Sequence, residues 1–291
     1  MSAAIGIIGG SGLYEIEGFE KTEERKIDTP FGEPSDALVG GTMHGRRVWF
    51  LPRHGRGHRI LPHEINHRAN IWAMKSLEVK FLVCVTAVGS LQETYAPRSV
   101  VIPNQYFDRT SRRHEHTFFG RGIAAHIAFA DPVSTPLSDL VEQALKASGA
   151  TVHRGGTYVN MDGPAFSTRA ESHANRQLGF DVIGMTNLAE AKLAREAEIS
   201  LATMAMVTDY DCWKVDEEAV HAAAVIEHLM ANVALAKETL QKLIPMVPAD
   251  ADWPEHHALD GAIMTSPDLW PPETVDDLHP ILARYRKKIE A

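Results

Sequence analysis

Only two cysteines, Cys84 and Cys212, occur in the 291 residues. Both lie in apolar, strand-like settings, which predicts reduced thiols and a cytoplasmic address rather than a disulfide framework. Positive charge is also short. Lys and Arg number 29 against 38 Asp and Glu, a formal net charge of −9, and this argues against a nucleic-acid-binding surface. No apolar run approaches the roughly 20 residues of a membrane span. The N-terminus has no basic segment and its apolar run stops at Gly9-Gly10, so no signal peptide is expected. Internal repeats and low-complexity tracts are missing too. Two nucleotide motifs fail: a dinucleotide fingerprint starting at Gly10 would need glycine at Glu15, and no Gly-Lys-Ser/Thr follows for a P-loop.

What is present is a composition ordinary for a globular protein, 44% hydrophobic and 23% charged. The chain is long enough for one large α/β domain or two small ones. Its most informative stretch is Met206 to Trp213, M-V-T-D-Y-D-C-W, which closes the apolar run beginning at Ile199. In extended chain Asp209 and Asp211 would point to the same side. Two close, partly desolvated carboxylates raise the pKa of at least one of them, giving an acid that can donate near neutral pH. The alternative is a turn and helix cap, with Asp216 opening a long helix to about Leu243.

Other expected strands also end in polar groups. Ala3 to Ile8 runs into Gly9-Gly10-Ser11-Gly12, whose free N–H groups and Ser11 hydroxyl suit an anion. Val48 to Leu51 runs into Pro52-Arg53-His54-Gly55, where Arg53 is placed to grip phosphate bidentately. Val79 to Val85 reads as a doubly covered strand ending in Thr86-Ala87-Val88-Gly89-Ser90. Val182-Ile183 leads into Gly184-Met185-Thr186, and Asn187 with Glu190 three residues on reads as a helix cap. Four of these ends suit an oxyanion, and the Asp209/Asp211 end suits a base or sugar. Together they ask for a phosphate and a heterocycle.

His63-Glu64-Ile65-Asn66-His67 matches the zinc-protease signature on an expected helix, but the extended form needs Gly at Asn70 and His at Ala73, and neither is there. After Pro245 the chain turns proline-rich and resumes a helical pattern near Leu278 to Tyr285. The expected division is a domain over residues 1–245 and an arm over 246–291, packed on the domain or on a neighbouring subunit.

Seven stretches in order, G-I-I-G-G-S-G-L (from Gly6), R-H-G (Arg53), A-N-I-W-A (Ala69), T-A-V-G-S-L (Thr86), G-P-A-F-S-T-R-A-E (Gly163), G-M-T (Gly184) and T-D-Y-D-C-W (Thr208), resemble the trimeric purine nucleoside phosphorylase family, in particular its members that cleave methylthioadenosine. The resemblance spans roughly residues 5 to 245. It implies a single α/β domain with a mixed, partly barrel-like sheet surrounded by helices. It also implies phosphorolysis of a purine nucleoside by a homotrimer, with phosphate as co-substrate and no metal or organic cofactor. By motif match, Ser11, Arg53, His54, Thr86, Ala87 and Thr186 would bind phosphate. Phe166 would stack on the base, and Met185 would cover the ribose, with Gly184 and Thr208 also lining the nucleoside. Asp209 would face purine N7 and Asp211 would face N6, while His126 would be lent to the 5' pocket by a neighbouring subunit. Gly184 and Ala165 stand where the animal members have Asn and Arg. Two alternatives remain at this level: a phosphorylase of 6-oxopurine nucleosides, and a zinc hydrolase using His63, Glu64 and His67.

Overall fold

The strongest apolar runs become the centre of one sheet. A computed structural model describes residues 3–10, 13, 15–214 and 222–289, and among them eleven strands form a single mixed sheet. The long path runs β2 (Glu20–Arg25), β3 (Leu38–Met43), β4 (Arg46–Pro52), β1 (Ala4–Gly9), β5 (Val79–Ser90), β10 (Val182–Gly184), β9 (Thr157–Met161), β7 (Gln105–Arg109). A second arm leaves β5 through β11 (Ser200–Asp209) to β6 (Val100–Ile102) and β8 (Val152–Arg154). The 12-residue β5 therefore pairs with three neighbours: parallel to β1 and β11, antiparallel to β10. A strand shared in this way bends the sheet around itself, which accounts for the mixed, partly barrel-like character.

Helices cover both faces, so the central strands are apolar on both sides. Ile5 and Ile7 of β1, with Phe81 and Val83 of β5, pack towards α2 (Thr135–Ala147) and α5 (Ala222–Leu243). Ile8, Leu82 and Cys84 point the other way, into a cluster with α1 (His67–Ser76) and α4 (Asn187–Glu196). The period of two along each strand assigns the faces. The remaining helix of the first 245 residues, α3 (Arg169–Gln177), starts at a capping box between Thr168 and Glu171.

The proline-rich end folds onto the same body. After α6 (Pro272–Asp277), its C-cap Leu278 joins the α1 cluster together with Ile281, Leu282 and Tyr285 of α7 (His279–Ile289). Trp72 Nε1 donates to Asp277 O at 2.8 Å, and the Tyr285 hydroxyl donates to Glu198 at 2.6 Å. No helix among the described residues is long and apolar enough to cross a membrane.

Two expected elements differ. His63 and Glu64 lie in a 3-10 turn (Pro62–Glu64), the chain becomes extended at Ile65, and α1 begins only at His67. The two histidines are thus not one turn apart on a helix. Among the described residues no group of three or more His, Cys, Asp or Glu is placed to hold a metal ion. In α4 the N-cap is Thr186, and Asn187 is the first helical residue.

Candidate active site

Strand register brings the polar positions together, although Thr86 and Ala87 lie within β5, which runs on to Ser90 rather than stopping at Val85 as expected. Gly9 pairs with Pro52, and Ile8 with Cys84, so Gly10, Arg53 and Thr86 arrive at one level. The Arg53 N–H donates to Gly9 O at 2.8 Å and locks β4's end to β1's. On the other flank β10 runs antiparallel to β5, with Ile183 opposite Gly89, which carries Thr186 back towards Thr86. Three residues along β5 from Thr86, Gly89 pairs with Asp209 at the end of β11. The hydroxyl and cationic groups near Thr86 and the carboxylate pair at Gly89 are therefore three residues apart along β5.

The carboxylates meet over a glycine. An ideal Cβ on Gly89 would lie 3.1 Å from Asp209 Oδ1 and 3.3 Å from Asp211 Cβ, so a side chain there would crowd both carboxylate residues. Asp209 Oδ1 accepts from the Asp211 N–H at 2.7 Å, and Oδ2 accepts from the Thr208 hydroxyl at 2.7 Å. His228 Nδ1 lies 2.8 Å from Thr208 O, which holds this turn against α5. Asp211 is not on the strand's extended face as expected. Its φ of 53° is left-handed, and the turn rather than strand alternation aims it. Both carboxyls are held above the usual range, and burial is the main cause for each. The charge of Asp211 adds to the rise at Asp209, but only behind burial, so like-charge repulsion is not the leading effect. Asp211 Oδ2 is buried and makes no hydrogen bond of normal geometry with a described residue, although the Ser172 and Ser167 hydroxyls and the Cys212 N–H lie close enough to the carboxyl to work against the rise in its pKa. A buried acceptor of this kind calls for a donor.

At the other end, Arg53 is 3% exposed. Its guanidinium forks onto Glu190, Nε to Oε1 at 2.5 Å and Nη2 to Oε2 at 3.0 Å. Nη1 donates to Val85 O at 2.8 Å and Nη2 to Ile8 O at 3.4 Å. The bidentate face assigned to phosphate from the sequence is thus occupied by Glu190, leaving one Nη1 proton. Burial works to raise the Glu190 pKa, but the guanidinium outweighs it and holds the carboxylate below its ordinary range. His54 Nδ1 lies 2.8 Å from Ile60 O, its ring stacks on His58, and burial pushes its pKa down to about 4. It is a neutral imidazole at pH 7. Thr86 and Thr186 are buried, whereas Ala87 is exposed.

Between the two ends lie Gly184, Met185 and Thr208. An ideal Cβ on Gly163 would meet Met185 Sδ at 2.5 Å, so the Gly-Pro-Ala-Phe turn packs directly on this methionine. Phe166, next in that turn, is 78% exposed, an unusual setting for a phenylalanine unless something stacks on it. His126 is exposed on a loop tied to the C-terminal segment, its N–H donating to Ala262 O at 2.9 Å. Ser11 lies outside the described residues, as does Asp216. Sequence reading missed Glu190 as the partner of Arg53, because the two are 137 positions apart and Glu190 also fits a capping box with Asn187. That pair does bond, Asn187 Nδ2 to Glu190 Oε2 at 3.1 Å, but as side chains inside the core.

This geometry agrees with a family match. Residues 4–245 fit the family model described as the phosphorylase superfamily, and the chain belongs to that superfamily. Among individual proteins, it is 50% identical to the S-methyl-5'-thioadenosine phosphorylase of Geobacter sulfurreducens, over 98% of this chain and all of that one. A crystal structure of a methylthioadenosine phosphorylase from an Antarctic soil metagenome superposes with a TM-score of 0.92 at 45% identity, covering 97% of this chain and 99% of the other. A Schistosoma mansoni adenosine/methylthioadenosine phosphorylase variant, crystallised with methylthioadenosine, gives 0.83 at 35% identity, with 90% and 99% covered.

Proposed function

We propose that this chain is a pentosyltransferase that cleaves S-methyl-5'-thioadenosine with inorganic phosphate. Phosphate attacks C1', the glycosidic bond breaks through an oxocarbenium-like transition state, and adenine and 5-methylthioribose 1-phosphate leave. The observation that carries this reading is the carboxylate pair over Gly89, lying along one edge of β5 from the threonine, arginine and histidine cluster. The named relatives support the substrate.

Each residue has a part in this reading. Thr86, Thr186, the Gly10 region with Ser11, the Ala87 backbone and the remaining Nη1 proton of Arg53 hold phosphate, while His54, whose single ring proton is given to Ile60 O, has only an Nε2 acceptor left and can meet only a protonated phosphate oxygen. The exposed ring of Phe166 stacks on the base, and Met185, beside Gly184 and Thr208, covers the ribose. Purine N7 gathers negative charge as the bond breaks, and a protonated Asp209 donates to it as general acid. Asp211 Oδ2, now unpartnered, accepts from the 6-amino group. A 6-oxopurine would put a carbonyl there, acceptor against acceptor, which disfavours the inosine-type alternative. No metal or organic cofactor takes part.

The direct test is product analysis with a chelator present. Adenine release should require phosphate and yield the pentose 1-phosphate, whereas free methylthioribose formed without phosphate would mean hydrolysis. In the same reading the working unit is a homotrimer, with His126 reaching the neighbour's 5' pocket. Native mass spectrometry should find three chains, and full activity from a monomer would rule the sharing out.

A further inference from the structure

Gly184 is required by a close approach, not by its backbone angles. An ideal Cβ there would lie 1.8 Å from the Tyr158 hydroxyl oxygen and 2.5 Å from Tyr158 Cζ. The space of the missing side chain is filled by a tyrosine hydroxyl from the neighbouring strand, where Tyr158 pairs with Val182. Tyr158 is fully buried, yet its hydroxyl makes no hydrogen bond of normal geometry with a described residue. Burial pushes its pKa up to about 12, while the Thr86 side chain, the Arg53 charge and the Thr186 backbone beside it pull the other way. A neutral, buried donor therefore stands in reserve between the two threonines. The Thr86 hydroxyl itself makes only a long contact of 3.4 Å, to Ala87 O.

We propose that Tyr158 is a positioning residue for phosphate, its hydroxyl donating to Thr86 Oγ1 so that the Thr86 proton turns towards a phosphate oxygen. This rests on the reading of Thr86 and Thr186 as phosphate ligands. A hydroxyl has one proton and two acceptor positions. When Tyr158 fills one acceptor position, the Thr86 proton no longer needs Ala87 O and is free to point outward. Bound phosphate completes the chain, and the buried tyrosine donor, costly while unpaired, gains its acceptor. Glycine at 184 is what admits the tyrosine to this place.

The test uses the full-length enzyme and separates the two KM values. In Tyr158→Phe the KM for phosphate should rise roughly five- to tenfold, with the methylthioadenosine KM within about twofold and kcat little changed. A purely structural role would move thermal stability or both KM values together. Thr86→Val is the control and should raise the phosphate KM at least as much. If Thr86→Val raises it and Tyr158→Phe does not, the tyrosine proposal is overturned while the phosphate site stands. If neither changes it, the phosphate reading fails and takes the proposal with it. Should Tyr158→Phe not fold, 3-fluorotyrosine at position 158 keeps the shape and makes the hydroxyl a stronger donor, and the proposal then expects the phosphate KM to fall selectively. A phosphate KM that does not move, or equal changes in both KM values, overturns it.

Discussion

Asp209→Ala should lower kcat for methylthioadenosine by about 10²- to 10⁴-fold, the range for loss of a positioned general acid, while the nucleoside KM changes far less. The reason is the state of the carboxyl. Burial raises its pKa above the ordinary 3.8, aided by the neighbouring Asp211, while the Thr208 hydroxyl and the Asp211 N–H work against the rise. In the proposed mechanism the protonated form is the competent one, so the wild-type rate should decline as pH rises past the folded-state pKa. Asp209→Ala should lose that alkaline limb. The stability linkage runs the same way: a raised carboxyl pKa contributes stability that is complete below the unfolded value and is lost as pH rises through the folded one. Stopped-flow single turnovers across pH 5 to 9 would read the chemical step directly. A kcat within about threefold of wild type would remove Asp209 from the acid role.

A second large effect is expected at Arg53, and it separates folding from phosphate binding. Glu190 is 0% exposed, and its charge is answered by Arg53. Arg53→Met should therefore destabilise the chain by about 3–5 kcal/mol, because a buried carboxylate is left unpaired. Adding Glu190→Gln removes that charge and keeps an acceptor for Asn187 Nδ2, which now bonds Oε2. The double variant should regain most of the loss in urea denaturation. Its phosphate KM should nevertheless stay at least about tenfold above wild type, because in the proposed reading Arg53 gives its remaining Nη1 proton to phosphate. A refolded double variant with normal phosphate KM would make Arg53 a purely structural residue. If the single variant is as stable as wild type, the buried pair does not have the role assigned to it.

Much of this site was legible because its parts are local. Apolar runs ending in glycine and polar residues marked the ends of β1, β4, β10 and β11, since strand periodicity and turn chemistry need only neighbours in sequence, whereas β5 continues past the expected stop at Val85 through Thr86 to Ser90. Edge elements were not legible. β2 reads E-K-T-E-E-R, five of its six residues exposed, and is held by pairing with β3 rather than by an apolar face. β3 itself carries Gly40 and Gly41, poor strand formers, yet Gly40 is where the Trp49 ring packs, 2.3 Å from an ideal Cβ. The hidden parts of the site are long-range in the same way. Arg53 with Glu190, and Tyr158 with Gly184, depend on which strands become neighbours, and no local pattern carries that. The aim of Asp211 was misread for a smaller reason: the strand stops at Asp209, and the next turn passes through a left-handed residue.

The central claim is that Asp209 and Asp211 together choose a 6-aminopurine and expel it by phosphorolysis. The most direct measurement is ultraviolet assay of the wild-type enzyme with methylthioadenosine and with inosine, at saturating phosphate. The unpartnered Asp211 oxygen predicts kcat/KM for methylthioadenosine at least roughly 10³-fold above that for inosine, the scale set by a buried acceptor forced against another acceptor. Inosine turned over as efficiently as methylthioadenosine would contradict the account.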